Sequence, residues 1–184
     1  MKIASSESQG TRRPRRSEPV ILFTISGQMF AISASAMHEI RNTDSLSAAV
    51  VEISCATVPK VRHLLRRGNS TLFVVSGFEH FGLPPSRAEH AILLRHSRIG
   101  VLVEAIDRME GMTVLLALPP GFSGPERSWY RGITLVSGNA VPVINPSGFL
   151  NEQEFANLDA AAMSALQKNE AHNSTAAEQA QLAR

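Results

Sequence analysis

Six histidines and one cysteine are the side chains of this sequence best suited to ligating a metal or attacking a substrate. A helical zinc site needs two histidines four residues apart, so that both rings leave one face with a glutamate beside them. His38-Glu39 is followed by no second histidine at that spacing. His63, His80, His90, His96 and His172 fall in no metal-ligand pattern, and Cys55 has no second cysteine. A solitary histidine is more often a solvated or hydrogen-bonded side chain than a ligand. Gly121-Phe122-Ser123-Gly124 has the glycines of a phosphate loop but no Gly-Lys-Ser/Thr, and no strand-to-helix context. No Gly-x-Ser-x-Gly elbow and no acid pair for acid–base work is present. The expectation is a protein that is not an enzyme and uses no cofactor and no metal.

Charge suggests binding instead. Glu39 and Arg67 are candidates for a charged pair between two elements, or else two independent surface charges; an exposed pair would add only about 0–1 kcal/mol. The net charge of +2 is unevenly spread. Residues 1–18 carry five basic and two acidic side chains, with Arg12, Arg13, Arg15 and Arg16 around one proline, whereas residues 151–184 carry two and five. Such an arm could meet phosphates, which makes a small-barrel nucleic-acid-binding protein the alternative function. The body lacks aromatics interleaved with basic residues, so no base-stacking surface is expected. No apolar run reaches the roughly 18 residues of a membrane span, and the polar N-terminus is no secretory signal. With the single cysteine, this points to the cytoplasm. The glycosylation patterns at Asn69 and Asn173 then carry no meaning.

The elements that position these residues are mostly short strands. Val20–Ile25 and Met29–Ile32 flank the turn Ser26-Gly27-Gln28, and a short helix is expected over Ala34–Arg41, with Met37 and Ile40 on one face. Residues 42–57 read as a long connection carrying one short strand. Val61–Arg66 is expected to be helical and Thr71–Val75 a strand. Pro84-Pro85 interrupts the chain. Ala91–Leu94 and Ile99–Val103 then form a second hairpin, and Ile106 and Met109 repeat the three-residue spacing of Met37 and Ile40. Strand-like runs at Ile133–Val136 and Ala140–Ile144 flank Ser137-Gly138-Asn139. Pro142 places its strand at an edge or its nitrogen where no ladder bond is needed.

The pattern repeats. Hairpins starting at Val20 and Ala91 are 71 residues apart, and the Arg-Gly pairs 67/68 and 131/132 are 64 apart. Each unit runs hairpin, short helical piece, long connection, Arg-Gly, strand, which suits two small antiparallel barrels. The expected architecture is mainly β: two intertwined five-stranded SH3-like barrels with a short helix between strands and a C-terminal helix. Residues 1–18 form a disordered arm, the barrels occupy about 19–84 and 85–150, the helix 151–168 and a flexible tail 169–184. Asn151 and Glu154 form a capping-box signal, and Phe155, Leu158, Ala162 and Leu166 share one helix face.

Over about residues 20–165 the chain resembles the CheW-like adaptors of bacterial chemotaxis. Val20 to Arg41 is similar to the family's opening block, ending Glu39-Ile40-Arg41. Val58-Pro59 and Leu65-Arg66-Arg67-Gly68 resemble its Pro…Leu-Arg-Gly segment, and Tyr130-Arg131-Gly132 to Leu150 its closing hairpin. The resemblance implies a non-enzymatic scaffold joining the cytoplasmic tip of methyl-accepting chemoreceptors to the regulatory domain of a CheA-type histidine kinase. It implies recruitment to receptor arrays, with no direct membrane insertion and no nucleic acid. It places Glu39 and Arg67 as an acid–arginine pair at a receptor-facing groove with Gly68, lined by Met37, Ile40 and Val61, where a helical hairpin tip docks. The family's glycine in Val-x-Gly is missing from Val61-Arg62-His63, and with one residue inserted the Pro and Asp of its next strand are replaced by Phe73 and Ser76.

Overall fold

Two hairpin turns have both central residues at positive φ, Ser26 (52°) with Gly27 (73°) and Ser137 (51°) with Gly138 (82°). Such primed turns match the right-handed twist of the flanking strands and need only two residues. Gln28 and Asn139, assigned to turns in the sequence reading, are therefore the first residues of returning strands. The structure, a computed structural model, describes residues 17–46, 50–67 and 70–182, except for the side chains of Arg67 and of residues 168–182.

The elements in order are β1 (Glu18–Ile25), β2 (Gln28–Ser33), β3 (Met37–Asn42), β4 (Val50–Glu52), β5 (Val61–Arg67), β6 (Ser70–Ser76) and α1 (Gly77–Phe81). There follow β7 (His90–Leu94), β8 (Ile99–Val103), β9 (Ala105–Met112), β10 (Tyr130–Val136), β11 (Asn139–Ile144) and α2 (Glu152–Leu182). One sheet has the order β10-β11-β2-β1-β9 and the other β3-β7-β8-β6-β5-β4. Neighbours are antiparallel except β11 with β2 and β6 with β8. In the first sheet the segment after β9 closes the ring onto β10. Leu116 and Ile133 exchange two backbone bonds of 2.8 and 2.9 Å, and Thr134 Oγ1 donates to Val114 O at 2.8 Å. Gly132 makes that approach possible, because a Cβ there would collide with Leu116 O.

Strand alternation sorts the apolar side chains into three cores. Val20, Leu22, Ala31, Val141 and Val143 fill the first barrel. Leu65, Leu72, Val74, Ala91 and Leu93 fill the second. The opposite faces of the same strands (Ile21, Phe23, Phe30, Ile32, Phe73, Val75, Ile92, Ile99) meet between the barrels in the largest cluster.

Several expectations are corrected. Met37–Asn42 and Val61–Arg67 are strands, not helix, because each pairs along its length, β3 with β7 and β5 with β6. The short helix between strands is α1 instead, capped by Ser76 and ended by Gly82 at φ 64°. The second barrel has six strands rather than five, since Val50–Glu52 adds to its edge. The barrels do not divide at Pro84: β1 and β2 join β9–β11, while β3–β8 form the other sheet. β11 lies between β10 and β2, so Pro142 is not on an edge strand. The C-terminal helix extends to Leu182 through the expected tail. Residues 1–16 of the expected arm and Gly68 lie outside the described residues, and β1 already begins at Glu18.

Candidate docking surface

Strand β3 is an edge of its sheet and carries three of the singled-out residues. Its register shifts between Met37 and Glu39, so Met37 faces Leu94 and Ile40 faces Ile92 with one extra residue between them. A β-bulge of this kind restores two positions of odd spacing to the same face. Met37 and Ile40 accordingly both pack, half-buried, against the cluster between the barrels. Glu39 and Arg41 are two apart and share the other face. They form a bidentate pair, with Arg41 Nε donating to Glu39 Oε1 at 2.8 Å and Nη2 to Oε2 at 3.2 Å. Each side chain remains about one-third exposed.

Val61 belongs to the same cluster but is only 1% exposed. It stands on β5, separated from β3 in the sheet order by β7, β8 and β6. It can shape a groove only from beneath. Arg67 closes β5 opposite Ser70. Its side chain, and with it the expected pairing to Glu39, lies outside the described residues, as does Gly68. The partner that the structure does describe for Glu39 is Arg41, which the sequence offered through nothing more than an i, i+2 spacing on a strand.

A second set of contacts has no signal in the sequence. Arg98, in the turn region between β7 and β8, makes two bonds of 2.8 Å to Asp159 on α2. Its guanidinium lies 5.3 Å from the centroid of Phe73 and 5.4 Å from that of Phe155. Arg98 hydrogen bonds hold the Asp159 carboxyl below its ordinary pKa, and the same bonds raise that of Arg98. Lys60 pairs with Glu154 at 2.8 Å. Together these bonds hold α2 in place, with its own Leu158 and Ala162 buried in the cluster between the barrels. Arg131, of the second Arg-Gly pair, binds Glu18 at 2.7 and 3.1 Å. That contact ties the start of β1 to β10 and lowers the Glu18 pKa, chiefly through its hydrogen bonds from Arg131.

Among the described residues no group of three His, Cys, Asp or Glu side chains could hold a metal ion, and no helix is long and apolar enough to cross a membrane. Two small barrels joined face to face, with an ion-paired edge strand and a strapped helix, have the form of a protein-interaction module. The CheW-like domain family matches residues 19–154. Among solved structures, the scaffolding protein TtCheW of Thermoanaerobacter tengcongensis is similar, with a TM-score of 0.58 and 13% identity over 70% of this chain and 89% of that one. None of the curated proteins matches. The chain belongs to the CheW-like family, whose members are non-enzymatic scaffolds of chemotaxis signalling.

Proposed function

We propose that this protein couples methyl-accepting chemoreceptors to a CheA-type histidine kinase, in chemotaxis or a related motility pathway. The family match across both barrels carries this reading. In it, the exposed edge around β3 takes the receptor. Ile40 and Met37 supply apolar contact, Glu39 is oriented by Arg41, Val61 supports the floor, and Arg67 and Gly68 join the site on the family resemblance alone. The ends of the barrels meet the kinase's regulatory domain. The protein works in the cytoplasm, recruited to receptor arrays, without inserting into the membrane and without a nucleic-acid partner.

The test is co-sedimentation of the full chain with receptor-containing membranes, beside co-purification with the kinase. Ile40→Asp, Glu39→Ala and Arg67→Glu should each weaken receptor retention at least about tenfold, which is roughly 1.4 kcal/mol, while kinase association persists. If all three variants hold both partners as tightly as the unaltered chain, the assignment of this surface is wrong.

A further inference from the structure

The open mouth of the second barrel is one of the barrel ends that the proposed function gives to the kinase, and the inference about its occupant rests on that reading. A groove of about 450 Å³ lies there, floored by Val74 and Leu102, with Leu46 and Val50 on its walls and Glu52 and His63 at its rim. Glu52 and His63 face each other across the β4–β5 pair. A second, smaller cavity shares His63, Val74 and Leu102 with it and reaches Lys60, Arg62 and Glu79. This size suits a small ligand or a single inserted side chain.

The charges along it are not balanced. Lys60 is neutralised by Glu154 and Arg62 by Glu79. Glu79 keeps its second oxygen, Oε2, buried without a hydrogen-bond partner. Glu52 has no ion-pair or hydrogen-bond partner among the described residues. The groove thus offers an apolar floor beside one exposed carboxylate with unused acceptor capacity, Glu52, the free oxygen of Glu79 being buried beyond an occupant's reach. An occupant must bring aliphatic surface for Val74 and Leu102 and a cationic donor for Glu52. Long aliphatic stems carrying a charged head have that character.

We propose that the mouth of the second barrel is a slot for an aliphatic cation, a lysine or arginine side chain presented by a partner protein, with Glu52 as its counter-ion. This stands independently of the receptor surface on β3. Hexylammonium and hexanoate serve as probes of equal length and opposite charge, titrated into the isotopically labelled full chain at pH 8. Hexylammonium should shift the resonances of Val50, Val74 and Leu102, and hexanoate should bind there at least tenfold more weakly. Glu52→Gln, an isosteric change at an exposed position, should reduce the preference to about twofold, and Glu52→Lys should reverse it. The proposal is overturned if hexylammonium leaves those three residues unshifted, if the two probes bind equally, or if the preference survives in Glu52→Gln.

Discussion

At the scale of single residues, the least ordinary side chain is His80. It sits on α1, only 4% exposed, with the rings of Trp129, Phe81 and Phe149 at 4.5, 4.7 and 4.9 Å. Neither ring nitrogen meets a hydrogen-bond partner. Burial, with a smaller push from Lys60, lowers its pKa from 6.5 to about 3. The folded state therefore holds the imidazole neutral, while the unfolded chain takes up a proton below pH 6.5. The folded pKa lies below the unfolded one, so stability is complete above pH 6.5 and falls as the pH drops from 6.5 towards 3. The slope approaches about 1.4 kcal/mol per pH unit. His80→Leu removes both the titration and two unpartnered nitrogens from an aromatic cage. Urea denaturation at pH 7.5 and pH 5 should show the unaltered protein losing about 2 kcal/mol more than this variant over that interval. Equal losses would mean that His80 is not held neutral in the fold.

At the scale of elements, the sequence misled where bulges intervene. Met37 with Ile40 and Val61 with Leu64 each stand three apart and share an environment, the signature of a helix face. Both pairs flank a register shift, Met37/Glu39 on β3 and Val61/His63 on β5, and all four side chains pack into the cluster between the barrels. An inserted residue lets a strand imitate helical spacing, and periodicity alone cannot separate the two. The candidate site suffered from the same cause, since Glu39 and Arg41 meet only when their segment is a strand. Regular elements were legible. The apolar run Ile99–Val103 is a strand over those same residues, and α2 begins where its cap predicts. Glu154 N donates to Asn151 Oδ1 and Asn151 N to Glu154 Oε2, both at 2.9 Å. How α2 lies on the barrel was not legible, because Arg98 and Asp159 are 61 residues apart. The helix nevertheless follows ordinary rules of energy. Leu158 is fully buried, so Leu158→Ala should cost about 2–5 kcal/mol in chemical denaturation. Asn151→Ala should cost about 1 kcal/mol. A Leu158→Ala effect below about 1 kcal/mol would show that α2 is not an integral part of the core.

For the whole molecule, the internal repeat acquires a physical meaning. The first unit gives its opening hairpin, β1–β2, to the first barrel and its Arg-Gly strands, β5–β6, to the second. The second unit does the reverse, with β7–β8 in the second barrel and β10–β11 in the first. Strands of different units meet in four pairings, the parallel β11 with β2 and β6 with β8 and the antiparallel β1 with β9 and β3 with β7. Each barrel is therefore built from both repeats, and the cluster between the barrels draws on nearly every strand. Cutting at the proline linker separates the repeats and leaves both barrels incomplete. Residues 17–84 would retain β1 and β2 without β9–β11, exposing one face to the first barrel's interior and the other to the inter-barrel core. Residues 85–182 would lack β5 and β6 for β8 to pair with. Neither piece can bury its apolar strands alone, so each should lack a cooperative unfolding transition, whereas the full chain should unfold in one step with coincident fluorescence and circular-dichroism curves. Mixed, the two pieces should restore that transition, because every missing strand of one is carried by the other. An independently folded 17–84 fragment would show that the exchanged strands are dispensable, and that the barrels are separable units rather than one interlocked body.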